Sequence, residues 1–215
     1  MRARSADTTV RIGVALAVCA FVTAVVAALP PLRPLDASGR VTYFVDDGPA
    51  DSGFLTADRQ LATWALGAWQ RALGNTLRFE PGTRDTALVQ LIWVPAAIGE
   101  FGETQPLLVH GHAGAAVYIR PDTTALGPDI ARRARQDPLF RDTVVYLTCV
   151  HELGHALGLP HTASFADIMY AFGYGGDIPE FFMRYRRQLT MRADIARVSG
   201  LSPADMAAVR ALYRP

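Results

Sequence analysis

The sequence predicts an α+β domain, and three observations support that class. Short apolar segments typical of strands occupy residues 41–120, whereas residues 143–213 carry helical patterns. One amphipathic helix lies among the strands. Half of the 215 residues are hydrophobic, which is enough for one core after the N-terminal segment is set aside.

The N-terminus combines a basic flank with an apolar run. Residues 1–11 carry three arginines, and residues 12–29 contain no charged side chain. Such a run fits a membrane-spanning anchor or a cleaved signal segment, and a buried core helix is the weaker alternative. Because positive charge stays in the cytoplasm, the remaining chain is exported in either case. We expect a single-pass membrane protein with its domain outside the cytoplasm, or a secreted or periplasmic protein.

The domain itself is predicted at residues 41–215, after a proline-containing linker at residues 30–40. Its first half predicts four strands and one helix. The strands are expected at residues 41–45, 77–80, 87–94 and 113–120, and the helix at residues 56–73. Residues 99–105 and most of residues 121–138 are predicted to be loop, with residues 130–135 as a candidate helical turn.

The second half predicts three helices. The first is apolar and spans residues 143–157, with Asp142 as a candidate cap and Gly158 at its end. The second, residues 178–198, is rich in arginine, which we interpret as a solvated face rather than a binding surface. Ser202 is expected to cap the last helix.

The segment HELGHALGLPH, residues 151–161, has the spacing of a metal site. His151 and His155 are four residues apart, so a helix presents both imidazoles on one face. Gly158 lets the backbone reverse at low cost and return His161 as a third nitrogen ligand. Three neutral imidazoles leave a tetrahedral zinc ion with one open position for water. The spacing therefore predicts one catalytic zinc ion.

Glu152 lies next to the first histidine and is not needed as a ligand. As a general base it would take a proton from the attacking water and pass it to the leaving amine. Zinc would lower the pKa of that water and polarise the scissile carbonyl. These residue types predict hydrolysis of peptide bonds without a covalent intermediate.

The same segment resembles the signature of the metzincin zinc peptidases. Residues 167–170 (DIMY) match their methionine turn, which makes Met169 a packing floor beneath the histidines rather than a ligand. The short gap before this turn and Thr162 after the third histidine are most similar to the matrixin branch. The resemblance implies an exported endopeptidase that cuts extended protein segments. It also implies a mixed twisted sheet, two helices in an N-terminal subdomain with the histidines on the second, and a small helical C-terminal subdomain.

The resemblance further implies residues that bind substrate. An extended substrate is expected to pair with an edge strand above the zinc, and the small residues Gly114, Ala115 and Ala116 favour residues 113–119 for that strand. An interior strand is the alternative. Tyr170 is either a hydrogen-bond donor to the transition state or a structural residue.

Three features depart from the matrixin pattern. Ala171 stands where many matrixins have proline. Residues 177–200 exceed the usual connection before the last helix, on the side of the cleft that shapes the pocket after the cleaved bond. An inhibitory cysteine segment is not visible, since Cys19 lies in the apolar run. Activation and substrate preference are therefore not carried over.

Other metal sites and functions remain open. A gluzincin-type centre would use Glu180 as the third ligand in place of His161, and a non-catalytic binding module would keep the zinc without hydrolysis. His110, His112 and Asp122 offer a structural zinc site, but a closed site needs four ligands. Structural calcium is not indicated either.

The expected partners follow from charge and from the predicted chemistry. A net charge of +1 does not indicate nucleic acid, so the expected partner is a protein or peptide substrate. The membrane is a further partner if residues 12–29 are not cleaved. A monomer is the default expectation.

Overall fold

The computed structural model describes residues 33–37 and 39–214. The predicted basic flank, residues 1–11, and the anchor or signal segment, residues 12–29, lie outside these ranges. Within them, no helix combines the length and the apolar character that crossing a bilayer requires.

One mixed sheet of five strands organises the chain, in the spatial order β2-β1-β3-β5-β4. The strands are β1 (Arg40–Val45), β2 (Arg78–Pro81), β3 (Val89–Trp93), β4 (Gly102–Val109) and β5 (His112–Ile119). The first four in spatial order are parallel, and β4 is antiparallel to β5. The four predicted strands and the α+β class are confirmed.

Strand β4 is not among the predicted strands, and it begins inside residues 99–105, which the sequence predicts as loop. Its sequence, GETQPLLV, lacks apolar alternation and contains Pro106. A strand at the edge of a sheet tolerates both features, since only one of its sides must pair.

Five α-helices accompany the sheet in the part of the chain that the structure describes. They are α1 (Asp58–Leu73), α2 (Pro128–Gln136), α3 (Pro138–Ala156), α4 (Ile178–Arg186) and α5 (Pro203–Leu212). Helix α3 carries the first two motif histidines. The short α2 directly precedes it within residues 121–138, which the sequence predicts mostly as loop, so the histidines lie on the third α-helix rather than on the second. Ser202 caps α5 as predicted, since its side chain accepts a hydrogen bond from Asp205 N.

Two predicted helix boundaries are wrong. Helix α3 begins earlier than residue 143, because the Asp137 carboxylate accepts hydrogen bonds from the main-chain N–H groups of residues 139 and 140. Asp142, the predicted cap, lies inside the helix and pairs with Arg192 at 2.8 Å. The helix predicted at residues 178–198 is interrupted after α4 and followed by a 3-10 helix, Arg192–Ala196.

The core joins α1 and α3 to the sheet. Trp69 on α1 is fully buried, and its indole N–H donates to the carbonyl of Val150 on α3 over 2.9 Å. Arg141 on α3 pairs with the fully buried carboxylate of Asp58 at the start of α1. A buried charge needs such a partner, so this pair fixes how the two helices meet.

Part of the predicted linker, residues 30–40, packs against the domain. Leu35 is only 5% exposed, and its N–H donates to the Tyr213 hydroxyl over 2.9 Å. That hydroxyl donates in turn to the Leu157 carbonyl at the end of α3. Asp36 accepts a hydrogen bond from the N–H of Ala113 on β5. The chain thus reaches β1 along the end of the helix that bears the histidines.

Candidate metal centre

Helix α3 and the turn after it bring three histidines to one point. His151 and His155 lie one turn apart on α3, which ends at Ala156. Gly158 then takes a positive φ of 93°, a conformation that favours glycine. An added Cβ there would also lie 2.8 Å from the Pro34 nitrogen. The reversed chain returns His161 to the face of the helix.

The three imidazoles converge through their Nε2 atoms. The Nε2 atom of His161 lies 3.2 Å from that of His151 and 3.0 Å from that of His155. The Nδ1 atoms of His151 and His155 lie 2.7 and 2.8 Å from the carbonyl oxygens of Ile168 and Leu159. Because a carbonyl only accepts, both Nδ1 atoms carry the proton, which leaves both Nε2 lone pairs free.

This donor set fits a zinc ion. A tetrahedral ion with bonds of about 2.0–2.1 Å places its ligand nitrogens about 3.3 Å apart, close to the observed separations. The pKa of His151 is lowered to about 3, mainly by burial and secondly by the neighbouring His155 ring. Burial also lowers the pKa of His155 and of His161. All three rings are therefore neutral at pH 7, the form that binds metal.

Glu152 lies beside this centre but outside the set of nitrogen atoms. Its side chain is 6% exposed. Burial raises the pKa of its carboxyl to about 7, while a hydrogen bond from Thr104 acts in the opposite direction. A carboxyl with a pKa near neutrality is suited both to take up and to release a proton.

The methionine turn packs beneath the histidines. Met169 is buried, and an added Cβ on Gly154 of α3 would lie 2.3 Å from its Sδ atom. Ile168 directly precedes Met169, and its N–H donates to the carboxylate of Asp205 on α5 over 2.9 Å. The Ile168 carbonyl is the partner of His151, so α5 supports the centre through the backbone of a single residue.

The imidazoles and Glu152 open into a cavity of about 720 Å³. An aromatic wall lines it beside the motif and consists of Phe101, Phe172, Phe181 and Phe182. The last two lie on α4, within the segment of residues 177–200 that the sequence marks as unusually long. Tyr170 also lines the cavity, but its hydroxyl donates to the Gly175 carbonyl over 2.9 Å.

The sequence prediction of the edge strand is wrong. Strand β5, which holds Gly114, Ala115 and Ala116, lies between β3 and β4, and the edge strand is β4. An added Cβ on Gly114 would lie 2.5 Å from the Leu88 carbonyl oxygen, and Ala115 N–H donates to that same oxygen. The small residues therefore allow close approach of the neighbouring chain segment, and none of them lines the cavity.

The alternative metal ligands are not brought together. Glu180 on α4 is only partly exposed and pairs with Arg187, and the described residues form only one group of three potential ligands, the three histidines. His110 lies in the turn between β4 and β5, and His112 begins β5, whereas Asp122 follows the opposite end of that strand and accepts from Thr124 N.

Two residues that contact Glu152 are not predicted from the sequence. Thr104 and Gly102 both lie on β4 and contact Glu152. They belong to a segment without a motif, and only the pairing of β4 with β5 places them over α3. A G-x-T pattern just before an apolar hairpin is the one local feature that could have suggested them.

Comparison with known families agrees with this geometry. A family model described as matrixin matches residues 37–181, which is more than half of the chain. The match covers the sheet, the three histidines and the methionine turn. A search of curated proteins returns no match.

Proposed function

The chain belongs to the matrixin family of zinc metallopeptidases, and from this premise we propose that it is an endopeptidase that cuts extended protein segments. The observation that carries the proposal is the convergence of three Nε2 atoms beside a buried carboxylate in one open cavity. His151, His155 and His161 hold the zinc ion, and Glu152 is the catalytic base.

The chemistry is divided between the metal and the chain. A bound zinc ion supplies a Lewis acid that activates water and polarises the peptide carbonyl. Glu152 accepts the proton of the attacking water and delivers it to the leaving nitrogen. The carbonyls of Ile168 and Leu159 hold two of the imidazoles in the orientation that points Nε2 at the ion.

The position of β4 at the edge of the sheet supports the proposal that the substrate binds in an extended conformation. Arg120 N–H donates to the Phe101 carbonyl, so the groups of residue 101 face β5. Pairing alternates along an antiparallel strand, and the main-chain groups of Gly102, Thr104 and Pro106 therefore face the cleft. A peptide can add to this edge as a further strand. Pro106 fits there because its missing N–H would otherwise interrupt the sheet.

The aromatic wall supports a preference for bulky apolar side chains. Phe101, Phe172 and Phe182 contact one another, with ring centroids 5.2 to 5.9 Å apart. Burial of a large apolar side chain against such rings stabilises its complex by removing apolar area from water. We assign this pocket to one side chain of the substrate next to the cleaved bond.

Export is the second part of the proposal. It is supported by the basic flank, residues 1–11, and the apolar run of residues 12–29. N-terminal sequencing of the protein recovered outside the cytoplasm distinguishes the two forms. A start after residue 29 indicates a cleaved signal, and an intact N-terminus in the membrane fraction indicates an anchor.

A peptide library tests the catalytic proposal. The zinc-loaded protein should cleave internal bonds of library peptides, and a chelator should abolish the cleavage. Absence of cleavage at full zinc occupancy would favour a non-catalytic binding module. Zinc stoichiometry separates the ligand sets: His161→Ala should lose the metal, whereas Glu180→Ala should keep it, and the reverse result would favour the gluzincin-type centre.

A further inference from the structure

Strand β4 passes directly over Glu152. Gly102 and Thr104 are two residues apart, so both face the same side of the sheet, toward α3. Each contacts Glu152, and the two contacts are independent: one is a close approach of the backbone, and the other is a hydrogen bond.

Gly102 is required by space. A Cβ added to it would lie 2.7 Å from Glu152 Cγ and 3.0 Å from Oε1. It would also lie 3.0 Å from Thr148 Cγ2 on α3. Any side chain here would displace either the strand or the carboxylate, so the absence of a side chain lets β4 cover Glu152.

Thr104 holds the carboxylate itself. Its hydroxyl lies 2.7 Å from Glu152 Oε2 and 2.9 Å from the Glu152 main-chain carbonyl. Both atoms are acceptors, and a hydroxyl has only one hydrogen to donate. The shorter contact, to the Oε2 atom of the carboxylate, is the charge-assisted hydrogen bond, and the main-chain carbonyl is the second acceptor within reach. The contact engages Oε2 and leaves Oε1 as the carboxylate oxygen without this donor.

We propose that Thr104 is a positioning residue, which fixes the Glu152 carboxylate through Oε2 so that Oε1 is the oxygen that takes the proton of the attacking water. The proposal rests on the proposed function, since it assigns a partner to the base of that reaction. The edge strand then has two tasks at one residue: the main chain of Thr104 faces the substrate, and its hydroxyl orients the base.

Four variants of the zinc-loaded full chain test this assignment. Thr104→Val removes the hydroxyl and keeps the shape, Thr104→Ser keeps the hydroxyl, and Gly102→Ala pushes on the carboxylate. Thr143→Val is the matched control, because that buried threonine on α3 bonds only to the Leu139 carbonyl of its own helix. The substrate is a quenched fluorescent peptide taken from the library peptides that the wild type cleaves.

Misplacement of a catalytic group costs up to about 100-fold in rate, so Thr104→Val and Gly102→Ala should lower kcat by about 10- to 100-fold. The KM of Thr104→Val should stay within about twofold, because the main-chain pairing with substrate is kept. Thr104→Ser should restore kcat to within about threefold, and Thr143→Val should match the wild type. Zinc content should be equal in all variants. An unchanged kcat in Thr104→Val, or no rescue by serine, overturns the proposal.

A crystal structure of Thr104→Val supplies a readout that does not depend on activity. We expect the Glu152 carboxylate to leave its single position in this variant and to keep it in Thr104→Ser. A carboxylate that stays in place without the hydroxyl overturns the proposal. A wild type that binds zinc and cleaves no library peptide refutes the proposed function instead, and the crystal structure still decides the positioning role.

Discussion

Replacement of Asp205 by alanine should weaken both the fold and the metal centre. The carboxylate is 2% exposed and accepts hydrogen bonds from Ile168 N at 2.9 Å and from Ser202 N at 2.8 Å. It thereby joins the start of α5 to the methionine turn. The carbonyl of the same residue 168 orients His151, so the loss of one carboxylate acts on the first zinc ligand through the backbone of one residue.

The magnitude follows from the groups left without a partner. A buried donor that loses its acceptor costs about 1–3 kcal/mol, and the Ile168 N–H is fully buried. The Ser202 N–H is only partly buried and costs less, so the free energy of unfolding should fall by about 2–4 kcal/mol. For a domain of this size that corresponds to a decrease of about 5–15 °C in Tm. Loss of a residue that supports a ligand typically weakens metal affinity by about 10- to 100-fold.

Urea unfolding of the metal-free protein measures the first effect, and competition with a zinc chelator measures the second. Asp129→Ala is the matched control, since Asp129 occupies the first turn of α2 but is exposed and pairs only with Arg132. That variant should change stability by less than about 1 kcal/mol. If Asp205→Ala unfolds within about 0.5 kcal/mol of the wild type, the proposed support of the methionine turn is refuted.

Three further predictions concern packing, specificity and pH. Gly154→Ala places a Cβ 2.3 Å from Met169 Sδ. The cost of overpacking, about 1–3 kcal/mol, should outweigh the gain of about 1 kcal/mol in helix propensity, so the variant should be less stable. A urea midpoint at or above that of the wild type contradicts this. Phe172→Ala should lower kcat/KM about 10-fold for peptides with a bulky apolar side chain next to the cleaved bond. For peptides with alanine at that position the loss should be less than about threefold. An equal loss for both kinds of peptide argues against the aromatic pocket. The metal-free Glu152→Gln variant should lose stability as the pH falls below about 6.5 toward 3, because the pKa of His151 is lowered in the fold and the unfolded chain binds more protons. The glutamine removes the Glu152 carboxyl, whose raised pKa acts in the opposite direction as the pH falls toward 4.5. A Tm independent of pH across that window would show that the buried imidazoles do not resist protonation.

The metal ligands could be predicted from the sequence because their arrangement is local. His151 and His155 depend only on helical spacing, and Gly158 and His161 follow three and six residues after His155. The methionine turn is short as well, so Met169 is found by its own tetrapeptide. Ser202 at the start of α5 is predictable for the same reason, since a cap bonds to residues three positions away.

The edge strand could not be predicted in this way because strand order is a non-local property. Small residues in β5 are compatible with close approach on either side, and only the pairing of β5 with both β3 and β4 shows that it is interior. Thr104 is 48 residues from Glu152 in sequence, so no spacing rule joins them. The start of α3 is ambiguous in the sequence because Asp137 and Asp142 can each cap a helix. Asp137 is the cap because it directly precedes Pro138, which favours the first position of a helix.

The Glu152→Gln variant decides whether Glu152 is the base beside a three-histidine zinc site. Zinc content and cleavage of the library peptide should be measured on the same preparation, with the wild type alongside. We expect one zinc ion per chain in both proteins and cleavage by the wild type alone. Substantial cleavage by the zinc-loaded variant would contradict it.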